Sequence, residues 1–226
     1  MNVRIFKKFL YKYATMHYNN SMNVKVGVKM NYIEKLNTLI NEHNGLILTK
    51  HVTEAKIPRV YITQLIKSGI LERLERGVYI KKDSFDDEMY RLQTKYASTV
   101  FSHDTALFLH DLTDRDPIHY SVTVRAGYNS HNIQAIGVKV YSIKKELYEL
   151  GLTSCKTVFG RTIKCYNMER TICDIIRNRN GLDIDIVANA IKRYIKRRDK
   201  NLPQLMRYAE IFRVSKILRS YMEVLL

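Results

Sequence analysis

The sequence lacks the features of a membrane-spanning, secreted or metal-binding protein. No run approaches the roughly eighteen apolar residues that a membrane-spanning helix requires. Residues 1–16 are broken by Lys and Tyr, and they have no small-residue cleavage site of a signal peptide. Cys155, Cys165 and Cys173 include no CxxC pair and no His at zinc-ligand spacing. We therefore expect a cytoplasmic protein in which reduced cysteines serve as small apolar residues, without a metal or other cofactor.

Positive charge is what the sequence has in excess. It holds 38 Lys and Arg against 22 Asp and Glu, a formal net charge of +16. Residues 1–30 contribute +6 (6 basic, no acidic) and residues 153–226 contribute +9 (16 basic, 7 acidic). Residues 31–82 contribute +4 (9 and 5), whereas residues 83–152 are mildly acidic at −3 (7 and 10). This balance favours a polyanionic partner such as nucleic acid over an anionic membrane surface.

Residues 46–82 carry the most informative pattern of the chain. Thr49 is placed to cap a short helix over residues 50–55, and Pro58 suits the first turn of a second helix that ends at Ser68-Gly69. Two apolar-rich segments, 70–75 and 78–81, then predict strands that reverse at Arg76-Gly77. This order of elements is typical of a winged helix-turn-helix, which places its second helix in the major groove of DNA.

The second helix is amphipathic in a way that suits DNA. Its apolar residues share one side at helical spacing, and the opposite side carries hydrogen-bond donors and no carboxylate. An ordinary solvated helix is the alternative interpretation. The predicted DNA contacts are Thr49 and Lys50 on the first helix, Arg59, Val60, Thr63, Gln64 and Lys67 on the second, and Arg73 and Arg76 on the wing.

The pattern along the chain predicts two domains and an extension. Residues 1–30 hold a basic amphipathic pattern and are expected to lie outside the core fold. Asn31 and Glu34 form a capping-box pattern that begins the folded part, and residues 31–82 are the winged helix-turn-helix. Residues 83–226 are predicted to form a mixed α+β domain whose C-terminal part is helical. Asp104 is expected to cap a helix over 105–110, and Asn167 is expected to cap the first of the C-terminal helices.

Two groups of side chains in the second domain could carry chemistry. His103 and Asp104 begin a His- and Asp-rich stretch that suggests metal-dependent hydrolysis, but they are adjacent rather than at ligand spacing. Helix capping and turn formation are the competing roles. Elsewhere the chain has no P-loop and no GxGxxG. A second basic surface is predicted on one flank of a helix over 184–198, either solvated or facing nucleic acid or an acidic protein. Its residues are Lys192, Arg193, Lys196 and Arg197.

These stretches together resemble the AbiEi antitoxins of bacterial abortive-infection systems. The likeness spans residues 31–226, and its more specific parts are FSHDTALFLHDLTDR (101–115) and MERTICDIIRNR (168–179). The resemblance adds Tyr61 to the DNA-facing positions and leaves His103, Asp104, Arg170 and Asp174 as motif residues without an assigned role. It implies a repressor that binds repeats in its own promoter, and a second domain that counters a co-encoded nucleotidyltransferase toxin without a stable complex.

The sequence therefore predicts a non-enzymatic antitoxin and transcriptional autorepressor of a type IV toxin-antitoxin system, which serves phage defence. Its partners would be double-stranded promoter DNA and, functionally, the toxin. Two alternatives stay open at this point. One is a metal-dependent nucleic-acid enzyme that uses the region of His103 and Asp104. The other is a module whose basic helix binds an acidic protein rather than DNA.

Overall fold

The computed structural model describes residues 31–225. They form an α+β fold, with a small N-terminal sheet among helices, a larger second sheet, and helices at the C-terminal end. This is the predicted fold class. The basic pattern expected within residues 1–30 lies outside the described residues. Among residues 31–225, no helix is both long enough and apolar enough to span a membrane.

The N-terminal part of the fold begins with a capping box. The Asn31 side chain accepts a hydrogen bond from the Ile33 N–H, and Glu34 accepts one from the Asn31 N–H, both at 3.3 Å. This reciprocal pair satisfies backbone donors that a helix N-terminus leaves free, so the predicted start is confirmed. The elements that follow are α1 (Tyr32–Glu42), β1 (Leu46–Leu48), α2 (Thr49–Glu54), α3 (Val60–Lys67), β2 (Leu71–Glu75) and β3 (Val78–Lys81).

Three antiparallel strands in the order β1-β3-β2 form the first sheet. The β2–β3 hairpin reverses at Arg76-Gly77, which confirms the predicted wing, and its register shifts between Arg73 and Glu75. Helices α1 to α3 bury Leu36, Val52 and Ile62 against one another. The winged helix-turn-helix predicted from the order of elements is therefore present.

Thr49 differs from its predicted role as a helix cap. It is the first residue of α2, and Leu48 stands at the cap position. The Thr49 hydroxyl instead donates to the Gly77 carbonyl oxygen at 3.3 Å, and the Thr49 N–H donates to the same oxygen at 2.9 Å. Since β1 runs directly into α2, the strand supplies the extended backbone that a polar cap would otherwise have to fix.

The second part of the fold contains a five-stranded sheet in the order β6-β5-β4-β8-β7. The pairs β5–β6 and β4–β8 are parallel, and β4–β5 and β7–β8 are antiparallel. Its elements are α4 (Glu88–Lys95), β4 (Val100–Phe101), α5 (His103–Leu109), β5 (Ser121–Arg125), α6 (His131–Gln134), β6 (Lys139–Ile143), α7 (Lys145–Tyr148), β7 (Leu152–Lys156), β8 (Thr162–Tyr166), α8 (Met168–Arg177), a 3₁₀ turn (Arg179–Gly181), α9 (Ile184–Lys196), α10 (Leu202–Ile211) and α11 (Ser215–Leu225).

Helix α8 lies at the centre of the C-terminal helices. Asn167 caps it through the Arg170 N–H at 2.9 Å, as predicted. Nearly the whole helix is buried, including the charged residues Glu169, Arg170 and Asp174. Buried charges require partners. Arg170 and Asp174 form an ion pair at 2.9 Å, and Glu169 accepts a hydrogen bond from the Tyr194 hydroxyl at 2.9 Å.

Two further sequence expectations are wrong. Asp104 does not cap the helix over 105–110, because that helix begins at His103 after Ser102, and Asp104 lies 3.6 Å from Lys139 instead. Cys155 and Cys165 are not both free thiols but form a disulfide, whereas Cys173 is free and buried. A separation of ten residues gives no spacing signal, yet the β7–β8 register brings the two cysteines together on adjacent strands.

Helix α4 joins the two parts of the fold. Glu75 of the wing accepts a hydrogen bond from Lys95 at 2.6 Å and lies 3.4 Å from Arg91. Before β1, the Asn44 side chain donates to the Tyr90 hydroxyl at 3.2 Å. Arg161, which follows β7, donates to the Asn44 carbonyl at 3.0 Å. Polar contacts at the wing and before β1 thus hold the first part of the fold on the second.

Candidate nucleic-acid interface

Helix α3 presents one apolar and one polar side, as its sequence predicts. Ile62 and Leu65 are buried against α1 and α2. The other side is open to solvent, and Val60 is 58% exposed there. No acidic residue occurs on α3. An exposed apolar residue beside donors and a hydroxyl suits base edges and phosphates better than it suits water. The exposed residues of this side, with the preceding position, are Arg59, Val60, Thr63, Gln64 and Lys67.

A groove separates α3 from the wing and gathers half of the predicted DNA contacts. Its volume is about 520 Å³. The floor is built from Ile62, Ile66 and Tyr79, which the sequence did not single out. The predicted residues that line it are Thr49, Arg59, Thr63, Arg73 and Arg76. Positions 27 residues apart in the chain therefore share one concave surface, which is the arrangement a winged helix offers to a duplex.

The wing turn is fixed in place by α2. Gly77 has a φ of +80°, a conformation that glycine adopts at low cost. A Cβ at this position would lie 3.3 Å from the Thr49 Oγ1, closer than ordinary contact. The two hydrogen bonds from Thr49 to the Gly77 carbonyl hold the wing turn against α2 at the same place. Arg76 is consequently presented on a turn of defined position, and substitution of Gly77 would displace it.

Electrostatics favour an anion in the groove. Arg59, Arg73 and Arg76 form no ion pair within residues 31–225. Glu75, at the end of β2, is bound by Lys95 and Arg91. Partial burial by itself would raise the pKa of Glu75, but the hydrogen bond and charge of Lys95, with those of Arg91, lower it. Of the two glutamates on β2, Glu75 is thus neutralised and Glu72 is exposed, neither of them lines the groove, and three arginines do.

Five predicted contacts lie outside the groove. Val60, Gln64 and Lys67 are exposed on the flank of α3 beyond it. Tyr61 is half-buried, with its ring 5.3 Å from that of Tyr32. Lys50 donates to the Thr94 carbonyl of α4 at 3.2 Å, so its charge is directed at the second part of the fold.

Residues 34–80 match a protein family described as "Transcriptional regulator, AbiEi antitoxin". This part of the chain is therefore similar to the AbiEi antitoxin family. The match covers α1 to β3, the whole winged helix except the first turn of α1 and the end of β3. A regulator and antitoxin family is therefore assigned on the part of the chain that forms the groove, in agreement with the sequence resemblance.

A similar fold is also found among solved structures. The crystal structure of the RV2827C protein from Mycobacterium tuberculosis matches with a TM-score of 0.56 and 13% sequence identity. The match covers 88% of this chain and 78% of that one. At such low identity the likeness concerns the fold alone. Among curated proteins, no significant match to the sequence was found.

The predicted second basic surface lies on the C-terminal half of α9 and at Arg197, which follows the helix, and it is partly neutralised. Arg193 pairs with Asp114, and Arg197 donates to Asp199 at 2.8 and 2.9 Å. Lys192 and Lys196 are exposed. Two of the four cations therefore already have anionic partners, and the surface is less basic than its sequence suggests.

The hydrolytic alternative rested on His103 and Asp104, which face different partners. The His103 ring stacks on Tyr141 at 3.5 Å, and its Nδ1 lies 3.0 Å from the Ser102 hydroxyl. Asp104 lies 3.6 Å from Lys139. Within residues 31–225, the group of His, Cys, Asp and Glu atoms close enough to hold a metal is His110, Cys155 and Cys165 instead. Because those two cysteines are bonded to each other, that cluster lacks the thiolates that a metal would need.

Proposed function

We propose that this AbiEi-family regulator represses its own operon by binding repeats in the promoter. The observation that carries the proposal is the groove between α3 and the wing, which is lined by three arginines without an ion pair among the described residues and has no acidic residue on α3. In this arrangement α3 enters the major groove. Thr63 and Arg59 reach base edges, and the wing arginines bind phosphates on one side.

Binding to phosphates makes the affinity depend on salt. Each phosphate that a Lys or Arg neutralises releases condensed counterions, and the logarithm of the binding constant falls by about 0.9 per tenfold rise in salt. Contacts with base edges let the protein distinguish one DNA sequence from another. A residue that reads a base edge is worth about 1–3 kcal/mol against the wrong base.

We also propose that residues 83–226 form the antitoxin domain and residues 31–82 the DNA-binding domain. The second domain counters a co-encoded nucleotidyltransferase toxin, without enzymatic activity and without a stable complex. The family description supports the antitoxin role, and the separate partners of His103 and Asp104 support the absence of catalysis at that motif.

Promoter binding is tested by titrating the protein against the duplex upstream of its gene and against a scrambled duplex of equal length. Tighter binding to the promoter is expected. Arg59→Ala should weaken promoter binding by about 1–3 kcal/mol and narrow the difference between the two duplexes. Equal affinity of the unmodified protein for both duplexes would reject sequence-specific repression.

The antitoxin role is tested separately in cells. Expression of the neighbouring toxin gene should stop growth, and co-expression of the full chain should restore it. Arg59→Ala should still restore growth when both genes are transcribed from foreign promoters, because the substitution affects the groove alone. If the full chain does not restore growth, the antitoxin assignment fails while promoter binding remains open to its own test.

A further inference from the structure

The second part of the fold contains a polar cavity that the proposed function does not use. It has a volume of about 200 Å³ and lies where α8 passes the parallel strands β5 and β6 and the start of α5. At roughly 30 Å³ per water molecule, this space accommodates about six waters or one small polar group. The residues that define it are His103, Tyr141, Arg170, Asp174, Arg177 and Asn178. Arg177 is exposed at the rim, so the cavity is reached from solvent.

Arg170 supplies an incompletely satisfied cation to this cavity. The side chain is fully buried, held between the rings of Tyr166 at 4.3 Å and Phe212 at 4.1 Å. Its Nε donates to Asp174, and its Nη1 donates to two backbone carbonyls at 2.8 and 2.9 Å. The third nitrogen, Nη2, is buried without a partner among residues 31–225. A buried donor without a partner destabilises the protein, so an acceptor at this position is favoured.

His103 offers a second donor. The Thr123 hydroxyl donates to the Ser102 hydroxyl at 2.8 Å, and that hydroxyl in turn lies 3.0 Å from His103 Nδ1. We assign the Ser102 proton to the contact with Nδ1, which places the imidazole proton on Nε2. Burial, followed by the charges of Arg170 and Arg177, lowers the pKa of His103 to about 3, so the ring is a neutral donor at pH 7.

The charge balance of the cavity is positive. Asp174 offsets Arg170, but Arg177 forms no ion pair within residues 31–225. Burial raises the pKa of Asp174 to about 6, although the charge of Arg170 opposes the shift. The Asp174 carboxylate is therefore readily protonated when an anion binds nearby. The cavity is thus lined by hydrogen-bond donors without acceptors and by Arg177, a cation without an ion pair among the described residues.

We propose that this cavity binds the phosphate group of a small ligand. A phosphate has several strong acceptor oxygens, which match the donors of Arg170 Nη2, His103 Nε2 and the Arg177 guanidinium better than single waters do. His103 stands here at a φ of +48°, a conformation that non-glycine residues adopt mainly where the surrounding structure holds them. The SHD and ERTICD motifs, which supply His103, Arg170 and Asp174, acquire a common role as walls of one site.

The site is tested on the full-length protein by calorimetric titration with inorganic phosphate and, in parallel, with adenosine monophosphate. Arg177→Gln is the informative variant, because Arg177 is exposed and its loss leaves the core intact. Arg179→Gln is the matched control, since Arg179 is an exposed arginine two residues away that does not line the cavity. Phosphate affinity should fall at least about tenfold in Arg177→Gln and stay within about twofold in the control.

Nuclear magnetic resonance of the His103 imidazole tests whether phosphate binds in this cavity. The His103 signals should shift on addition of phosphate to the unmodified protein, and the shift should require higher phosphate in Arg177→Gln. Tighter binding of adenosine monophosphate than of phosphate identifies a nucleotide as the ligand, and equal binding identifies free phosphate. The proposal is overturned if neither probe binds at millimolar concentration, if both arginine variants lose binding equally, or if His103 is unaffected. None of these outcomes bears on promoter binding, which involves the other half of the chain.

Discussion

Removing Arg76 should change the salt dependence of DNA binding by a predictable amount. Arg76 lies at the wing turn and lines the groove with Arg59 and Arg73, and Lys67 lies at the exposed end of α3. Because Arg59 is assigned to a base edge, three cations remain for phosphates, and they give a log-log salt slope of about −2.7. Between 50 and 200 mM salt, the dissociation constant would then rise about 40-fold. With Arg76→Ala the slope becomes about −1.8 and the rise about 12-fold.

Fluorescence anisotropy of a labelled promoter duplex, titrated at four salt concentrations, measures both slopes. Because a phosphate contact carries no sequence information, the same reduction is expected on a scrambled duplex. Arg219→Ala is the matched control, since it removes one exposed charge from α11 in the other half of the chain. An unchanged slope in Arg76→Ala would refute the placement of the wing on the phosphate backbone. So would an equal reduction in Arg219→Ala.

Three further outcomes are expected. Leu36 is fully buried, so Leu36→Ala should lower the free energy of unfolding by about 2–5 kcal/mol in urea titrations, and a loss below about 1 kcal/mol would contradict the packing. Thiol titration should detect one reactive group, Cys173, in the unfolded unreduced protein and three after reduction, since Cys155 and Cys165 are bonded. Burial lowers the pKa of His103 to about 3, so the folded protein loses stability as the pH falls below about 6.5, the ordinary pKa of an unfolded histidine. Between pH 7.5 and pH 4.5 the free energy of unfolding should fall by roughly 3 kcal/mol, and this fall should be missing from the pH profile of His103→Gln.

The winged helix was predictable because its signals are local. Gly69 and Gly77 mark the end of α3 and the wing turn, both with positive φ, and the apolar spacing of α3 identifies its buried face. The residues that line the groove were harder to predict from the sequence. Tyr79 lines it from β3, and only the register of the hairpin reveals that this side chain faces α3 rather than the opposite side of the sheet.

The elements that the sequence did not predict have weak or misleading patterns. Strand β1 is a buried run of three residues, too short to show an alternation. Strand β7 is mostly exposed, and its polar residues resemble a loop. Thr49 has the composition of a helix cap but is used to hold the wing turn, because β1 already fixes the start of α2.

The buried charges of α8 could not be placed from sequence either. Arg170 and Asp174 stand four residues apart, a spacing that is equally common on solvated helices. Their burial depends on the helices packed around α8 and on the rings of Tyr166 and Phe212. Motif residues without an assigned role can therefore be the walls of a cavity, a relation visible only once the strands are in register.

The contacts of α4 restrain the position of the wing relative to the second part of the fold. Glu75 of the wing is tied to Arg91 and Lys95, and Asn44, which precedes β1, is tied to Tyr90 and Arg161. These contacts oppose rotation of the hairpin toward a distorted duplex. In the proposed promoter complex the DNA would therefore do most of the bending, and repeats whose sequence bends easily should be selected even at base pairs that no side chain touches.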